Sequence, residues 1–150
     1  MIKTQKHGWK DLITGGQEMR VQLSKLMSRI AGTEDLNPNQ MALIMGIYSG
    51  SLTSVGSVTK TFDIQQTNAS TLCRKSEELG LIIRKRSNED VRVVNLILTE
   101  KGEAIVKSIL KMLEQRYKHY QKEHGEAIDF EMMEKGFCEF VKLLNIIEGI

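Results

Sequence analysis

At Gly80 the apolar pattern of this chain changes period, and that change restricts the fold more than any other feature of the sequence. Upstream, apolar residues recur at three- and four-residue steps, the spacing that puts one face of a helix inward. Downstream, Leu81-Ile82-Ile83 runs into Arg84-Lys85-Arg86, then a polar turn at Ser87-Asn88-Glu89-Asp90. The stretch Val91 to Leu98 follows, β-branched and apolar, with Val94, Leu96 and Leu98 on one face. Two such strands about a polar turn predict a β-hairpin.

Three helices precede the hairpin. Asn37-Pro38 offers an N-cap followed by proline at the first helical position, where its missing N–H costs nothing. Met41, Ile44, Ile47 and Tyr48 continue at helical spacing until Gly50-Ser51. Thr53 or Ser54 caps a second helix with Val55, Val58 and Phe62 inward, which stops near Asp63. A third starts after Ile64, has Ala69, Leu72, Cys73 and Leu79 as its apolar side, and closes with Gly80 as its C′ residue. A short turn between the second and third helices sets them at a steep angle. This order predicts a mainly α fold with a small β-hairpin wing, a winged helix-turn-helix, over residues 37–100.

The flanks read as long helices. Residues of roughly 8–31 carry Leu12, Met19, Leu23, Leu26, Met27 and Ile30 at helical steps, although Gly15-Gly16 weakens the start. Thr99 caps a helix showing Ile105, Ile109, Met112, Leu113 and Tyr117; after Gly125 another shows Phe130, Met133, Phe137, Phe140, Val141, Leu144 and Ile147. Each of the last two is ~20 residues, hence ~30 Å long. A small middle lobe does not bury that much apolar helix, so residues 1–36 and 101–150 are expected to be dimerisation helices of a homodimer, within a single domain spanning 1–150.

Charge alone says little. The net charge is +2 over 150 residues. Residues 1–30 carry six Lys/Arg against two acids, residues 31–100 seven against eight, and residues 101–150 eight against nine. An argument for nucleic acid must therefore rest on where charges point. The exposed side of the third helix reads Gln65, Gln66, Thr67, Asn68, Ser70, Thr71, Arg74 and Lys75. Amides bond adenine edges, Arg and Lys bond guanine, and hydroxyls serve phosphates. The hairpin adds Arg84, Lys85, Arg86, Asn88, Asp90 and Arg92 beside it, and Ser54 opens the preceding helix. These are the candidate DNA-binding residues.

The run from Gly80 to Gly102, GLIIRKRSNEDVRVVNLILTEKG, resembles the multiple antibiotic resistance regulator (MarR) family. Its most specific elements are the wing D-x-R at Asp90-Val91-Arg92 and L-T-x-K-G at Leu98 to Gly102. The resemblance covers residues of roughly 37–102. It implies that Arg92 enters the minor groove, that Asp90 orients it, and that residues 65–75 read the major groove. It further implies a homodimer on an imperfectly palindromic double-stranded operator with half-sites ~34–36 Å apart, acting as a repressor released by an unknown small-molecule effector. The chain departs from the family at Asp63, where glycine is usual, at Thr71, often arginine, and at Ser76, often leucine.

Other signals are weaker. Trp9, Met41, Met45, Tyr48, Tyr117 and Tyr120 are candidates to line an effector crevice, and core packing explains them as well. Cys73 and Cys138 read as thiols rather than a disulfide. Cys73, beside Arg74 and Lys75, is a minor candidate oxidant sensor, but its apolar register argues for burial. His7, His119 and His124 lack metal-ligand spacing. No catalytic motif emerges, so no enzyme activity, metal or cofactor is expected. No signal-peptide core or membrane span is visible, which predicts a cytoplasmic protein. An alternative stays open: a winged-helix module that binds a protein through the same face.

Overall fold

The computed structural model of the protein describes residues 8–125 and 127–149. The elements, in order, are α1 (Trp9–Thr33), α2 (Pro38–Tyr48), α3 (Val55–Phe62), α4 (Gln66–Glu78), β1 (Ile82–Arg86), β2 (Val94–Leu98), α5 (Glu100–His124) and α6 (Phe130–Glu148). This is the helix, helix, helix, hairpin order that the sequence predicts. The chain divides after Leu110, inside α5, into two compact units. Residues 1–7, His7 among them, lie outside the described residues.

In the first unit, local chemistry sets the helix boundaries. Asn37 and Gln40 form a reciprocal capping box: the Gln40 N–H donates to Asn37 Oδ1 at 2.9 Å, and the Asn37 N–H to Gln40 Oε1 at 3.0 Å. Ser54 and Ser57 do the same for α3. Such boxes satisfy helical N–H groups that otherwise lack partners. Asp63 ends α3 in the left-handed region at φ 49°, so aspartate fills the place where glycine is usual. At the end of α4, Gly80 takes φ 71° while the Leu81 N–H bonds to Ser76 O at 3.0 Å and the Gly80 N–H to Glu77 O at 2.8 Å. That is a Schellman ending, and it turns the chain directly into β1.

The hairpin is antiparallel, from Ile82 opposite Leu98 to Arg86 opposite Val94. The base of β2 also pairs with the segment before α3, where the Leu96 N–H reaches Thr53 O at 2.9 Å. The core beneath is continuous. Ile30 and Ala31 of α1, Met41, Leu43 and Ile44 of α2, Val58 of α3, and Ala69 and Cys73 of α4 are all buried. Leu81, Ile82, Leu96, Val106 and Ile109 complete it.

Several expectations shift. The second strand begins at Val94, not Val91, because Asp90 O takes the Val93 N–H at 2.9 Å and Asp90 Oδ1 takes the Arg92 N–H, also at 2.9 Å. Those bonds fold residues 91–93 into the turn. Leu79 is 44% exposed rather than inward: it is the C-cap of α4, where the chain already leaves the helical face. Phe62 is half-buried, and Val106 rather than Ile105 is the fully buried residue of its turn in α5.

The first turn of α5 rests on the end of α4. The Thr99 hydroxyl donates to Gly80 O at 2.6 Å and accepts the Gly102 N–H at 3.0 Å. Lys101 Nζ donates to Leu79 O at 2.8 Å. At Gly102 an added Cβ would press into the Leu81 carbonyl, a backbone atom that cannot swing aside.

The second unit contains the later part of α5 and α6, which is capped by Asp129 through the Met132 N–H at 2.9 Å. Tyr117 meets Phe130 edge to face, with ring centroids 5.2 Å apart, and its hydroxyl accepts the Ile128 N–H at 2.8 Å. No residue of α6 is buried in the single chain, and Phe130, Met132, Phe137, Val141 and Ile147 are all exposed. The same holds for Trp9, Ile13, Leu23 and Leu26 of α1. No described helix is long and apolar enough to cross a membrane.

Gly102→Ala should cost about 1–3 kcal/mol through overpacking against backbone, read as a lower urea midpoint. An unchanged midpoint would mean that α5 does not sit on the Leu81 carbonyl.

Candidate nucleic-acid interface

α4 presents its buried side through Ala69, Cys73 and Ser76, and everything else on it faces outward or lies at the margin. Gln65, Gln66, Thr67, Asn68, Thr71, Arg74 and Lys75 are exposed, and Ser70 is half-buried. Gln65 is the N-cap residue, with extended backbone and no capping bond from its side chain. The Thr71 hydroxyl donates back to Thr67 O at 2.8 Å, which leaves its lone pairs outward.

Two recesses flank this helix. One is lined by Ser54, Val55, Gly56, Gln66, Ser70, Arg84, Arg92, Val93 and Val94, and so joins the start of α3, α4 and the wing. The other is lined by Asn37, Pro38, Asn39, Asn68, Thr71, Leu72 and Lys75, between the start of α2 and α4. The structure thus brings Ser54, Gln66, Ser70, Arg84 and Arg92 together, and Asn68, Thr71 and Lys75 together. Lys85, Arg86 and Asn88 are exposed along the hairpin and its tip. Asn39 was not foreseen; its position in the first turn after the Asn37-Pro38 cap is the only signal for it.

The wing tip is organised by two small residues. Ser87 Oγ accepts the Glu89 N–H at 3.2 Å, and Asp90 Oδ1 accepts both the N–H and the Nε–H of Arg92, the latter at 3.3 Å. The Arg92 side chain is 90% exposed. Asp90 therefore holds the base of an arginine that projects from the tip, the arrangement that the D-x-R resemblance implies.

Sequence reasoning missed what the acids of α4 do. Glu77 Oε1 accepts the backbone N–H of Arg84 at 2.9 Å and Oε2 accepts its Nε–H at 2.7 Å. The two side chains are about a third exposed. This clamp ties α4 to β1 and commits Arg84 to an ion pair. Glu78 takes Arg74 at 2.7 Å in an exposed i,i+4 pair. Lys60, Lys75, Lys85 and Arg86 have no ion-pair partner among the described residues.

The Arg84 backbone N–H, and then its side-chain hydrogen bond, hold the Glu77 carboxyl below the usual glutamate range. Burial pushes the Cys73 thiol up, against a smaller opposing pull from Arg84; Arg74 and Lys75 do not activate it. Cys138 is exposed. Met41 belongs to the core. His119 pairs with Glu123, and no metal-holding cluster occurs among the described residues.

Three helices, a left-handed turn between the last two, and an arginine-tipped wing beside the final helix define a winged helix-turn-helix lobe of the regulator type. The sequence profile of the transcriptional regulator SarA/Rot family matches residues 25–109, more than half of the chain. The protein belongs to this family of winged-helix transcriptional regulators, which is related to MarR. Solved structures of similar fold are MarR-type regulators. The transcriptional regulator BldR from Sulfolobus solfataricus superposes with a TM-score of 0.71 at 17% identity, covering 93% of this chain and 99% of its own. The Staphylococcus aureus MarR in complex with salicylate and kanamycin gives 0.70 at 16%, covering 93% and 92%. Reduced AbfR bound to DNA gives 0.67 at 12%, covering 92% of each. No curated protein matches the chain.

Two outcomes follow from the Glu77 clamp and the buried thiol. With its folded pKa below the unfolded one, Glu77 contributes its full stabilisation above the unfolded glutamate range and loses it as pH falls through the folded value. Glu77→Gln should lower stability by on the order of 1 kcal/mol at neutral pH, given solvent screening of a partly exposed pair. The gap to wild type should close as pH drops below about 4; a gap that stays constant would show that the charge is not what matters. A thiol reagent should modify Cys73 only after unfolding, and rapid native labelling would contradict its burial.

Proposed function

We propose that this regulator binds double-stranded DNA sequence-specifically as a homodimer, on an imperfect palindrome, and represses transcription until a small-molecule effector releases it. The observation that carries this reading is the joint placement of the α4 polar face and the Asp90–Arg92 wing tip on either side of one recess. α4 suits the major groove and Arg92 the minor groove or the backbone. Exposed apolar residues on α1 and α6 favour a second copy as their cover, with residues 1–36 and 101–150 forming the dimer around the lobe 37–100. That a similar fold has been solved on DNA, and another with salicylate, supports the DNA and effector parts by analogy. Such a protein works in the cytoplasm, where the DNA is.

A protein-docking role for the same face is favoured by one observation: Glu77 and Glu78 neutralise Arg84 and Arg74, so the face is less cationic than its arginine count suggests. Salt separates the two readings. DNA binding should lose about a decade or more between ~50 and ~200 mM salt; a mixed protein interface changes far less.

Selection from randomised duplexes should enrich an inverted repeat with half-site centres about one helical turn apart. Arg92→Ala should weaken binding to all sequences, by about tenfold, and flatten the salt dependence by about one unit of slope. Undiminished affinity in that variant would remove the wing from the interface.

A further inference from the structure

The two recesses beside α4 lie on opposite flanks of that helix. Each residue of a helix turns by about 100°, so Gln66 and Ser70, which line the recess beside the wing, sit roughly half a turn from Asn68 and Lys75, which line the recess beside α2. Thr67 and Arg74 fall between them and are exposed. A helix ~10–12 Å across fills a major groove ~12 Å wide. With Thr67 and Arg74 toward the base edges, each flank of α4 stands against one of the two phosphate rows that wall the groove.

The flank beside α2 carries the chemistry that a phosphate row asks for. Lys75 has no ion-pair partner among the described residues. Asn39, in the first turn of α2, and Asn68 are exposed, and their carboxamides make no hydrogen bond among the described residues. The Thr71 hydroxyl has already given its proton to Thr67 O, which leaves Lys75 and the side-chain amides as the donors of this recess. No Asp or Glu lines it.

We propose that Asn39 and Lys75 together hold a backbone phosphate of the DNA on the side of α4 away from the wing, Lys75 by its charge and Asn39 by an amide N–H. The proposal rests on the DNA-binding function above and adds an anchoring point to it, on α2, an element that the sequence did not mark for DNA contact. A phosphate carries no base identity, so this contact fixes how α4 sits in the groove and adds affinity without choosing a sequence. The competing use of the same ammonium is a bond to a guanine edge.

The test measures the affinity of Asn39→Asp, Asn39→Lys and Lys75→Gln for a duplex selected by wild type, over a range of salt, with thermal melting of each. Asn39 is the second residue of α2, where the helix dipole favours an acid and disfavours a base. Stability and binding are therefore pulled in opposite directions. Asn39→Asp should melt no lower than wild type and yet bind about tenfold more weakly. Asn39→Lys should melt lower and yet bind more tightly, with a salt slope steeper by about one unit per subunit. Lys75→Gln should bind about tenfold more weakly, with a slope flatter by the same amount, and should select the same sequences as wild type. Affinity that is unchanged in Asn39→Asp, or that follows stability in both Asn39 variants, overturns the proposal. So does a changed base preference in Lys75→Gln, which would place that ammonium on a base edge. A wild type that selects no duplex defeats the DNA-binding function itself, and this proposal with it.

Discussion

Just past the end of α4 the carbonyls of Leu79, Gly80 and Leu81 point away from the helix, and the first turn of α5 takes up all three. Lys101 Nζ binds the first, the Thr99 hydroxyl the second and the Thr99 N–H the third, at 2.8, 2.6 and 3.1 Å. Gly102 allows the approach, because no side chain fits against the Leu81 carbonyl. The L-T-x-K-G run thus seats α5 on the end of α4. α4 cannot tilt without breaking these bonds; those to Leu79 and Gly80 are exposed, whereas Leu81 is a buried residue, whose carbonyl left unmet costs about 1–3 kcal/mol. The hairpin inherits its place from the same junction, since β1 leaves directly from Leu81.

A second tie works from the other side. Glu77 grips the backbone and guanidinium of Arg84, so the angle between α4 and the wing is held by a two-point contact rather than by packing alone. The cost is cationic surface. With Arg74 and Arg84 paired, the face presents amides, hydroxyls, the unpaired Lys75, Lys85 and Arg86, and the projecting Arg92. Amides and hydroxyls distinguish bases by geometry, whereas charge mainly adds affinity.

What could be read from the sequence tracks what is local. Asn37-Pro38, Ser54 and Gly80 mark helix ends because caps and left-handed residues act within four or five positions. The wing's D-x-R was legible as a motif, yet the late start of β2 was not, because it depends on which backbone N–H groups Asp90 captures. Leu79 looked inward by spacing and is exposed because the helix has already ended there. Glu77 carries no signal as a site residue, because its role depends on a contact made across the turn at Gly80, to Arg84.

The sequence by itself determined the order of elements, the polar content of α4 and the family, since periodicity, caps and a wing motif are properties of short segments. Only the tertiary structure decided which charges are spent within the protein and which face outward. It also decided how α5 is seated on α4. Those outcomes rest on distances of about 3 Å between residues that lie up to twenty-two positions apart, and no local pattern encodes such distances.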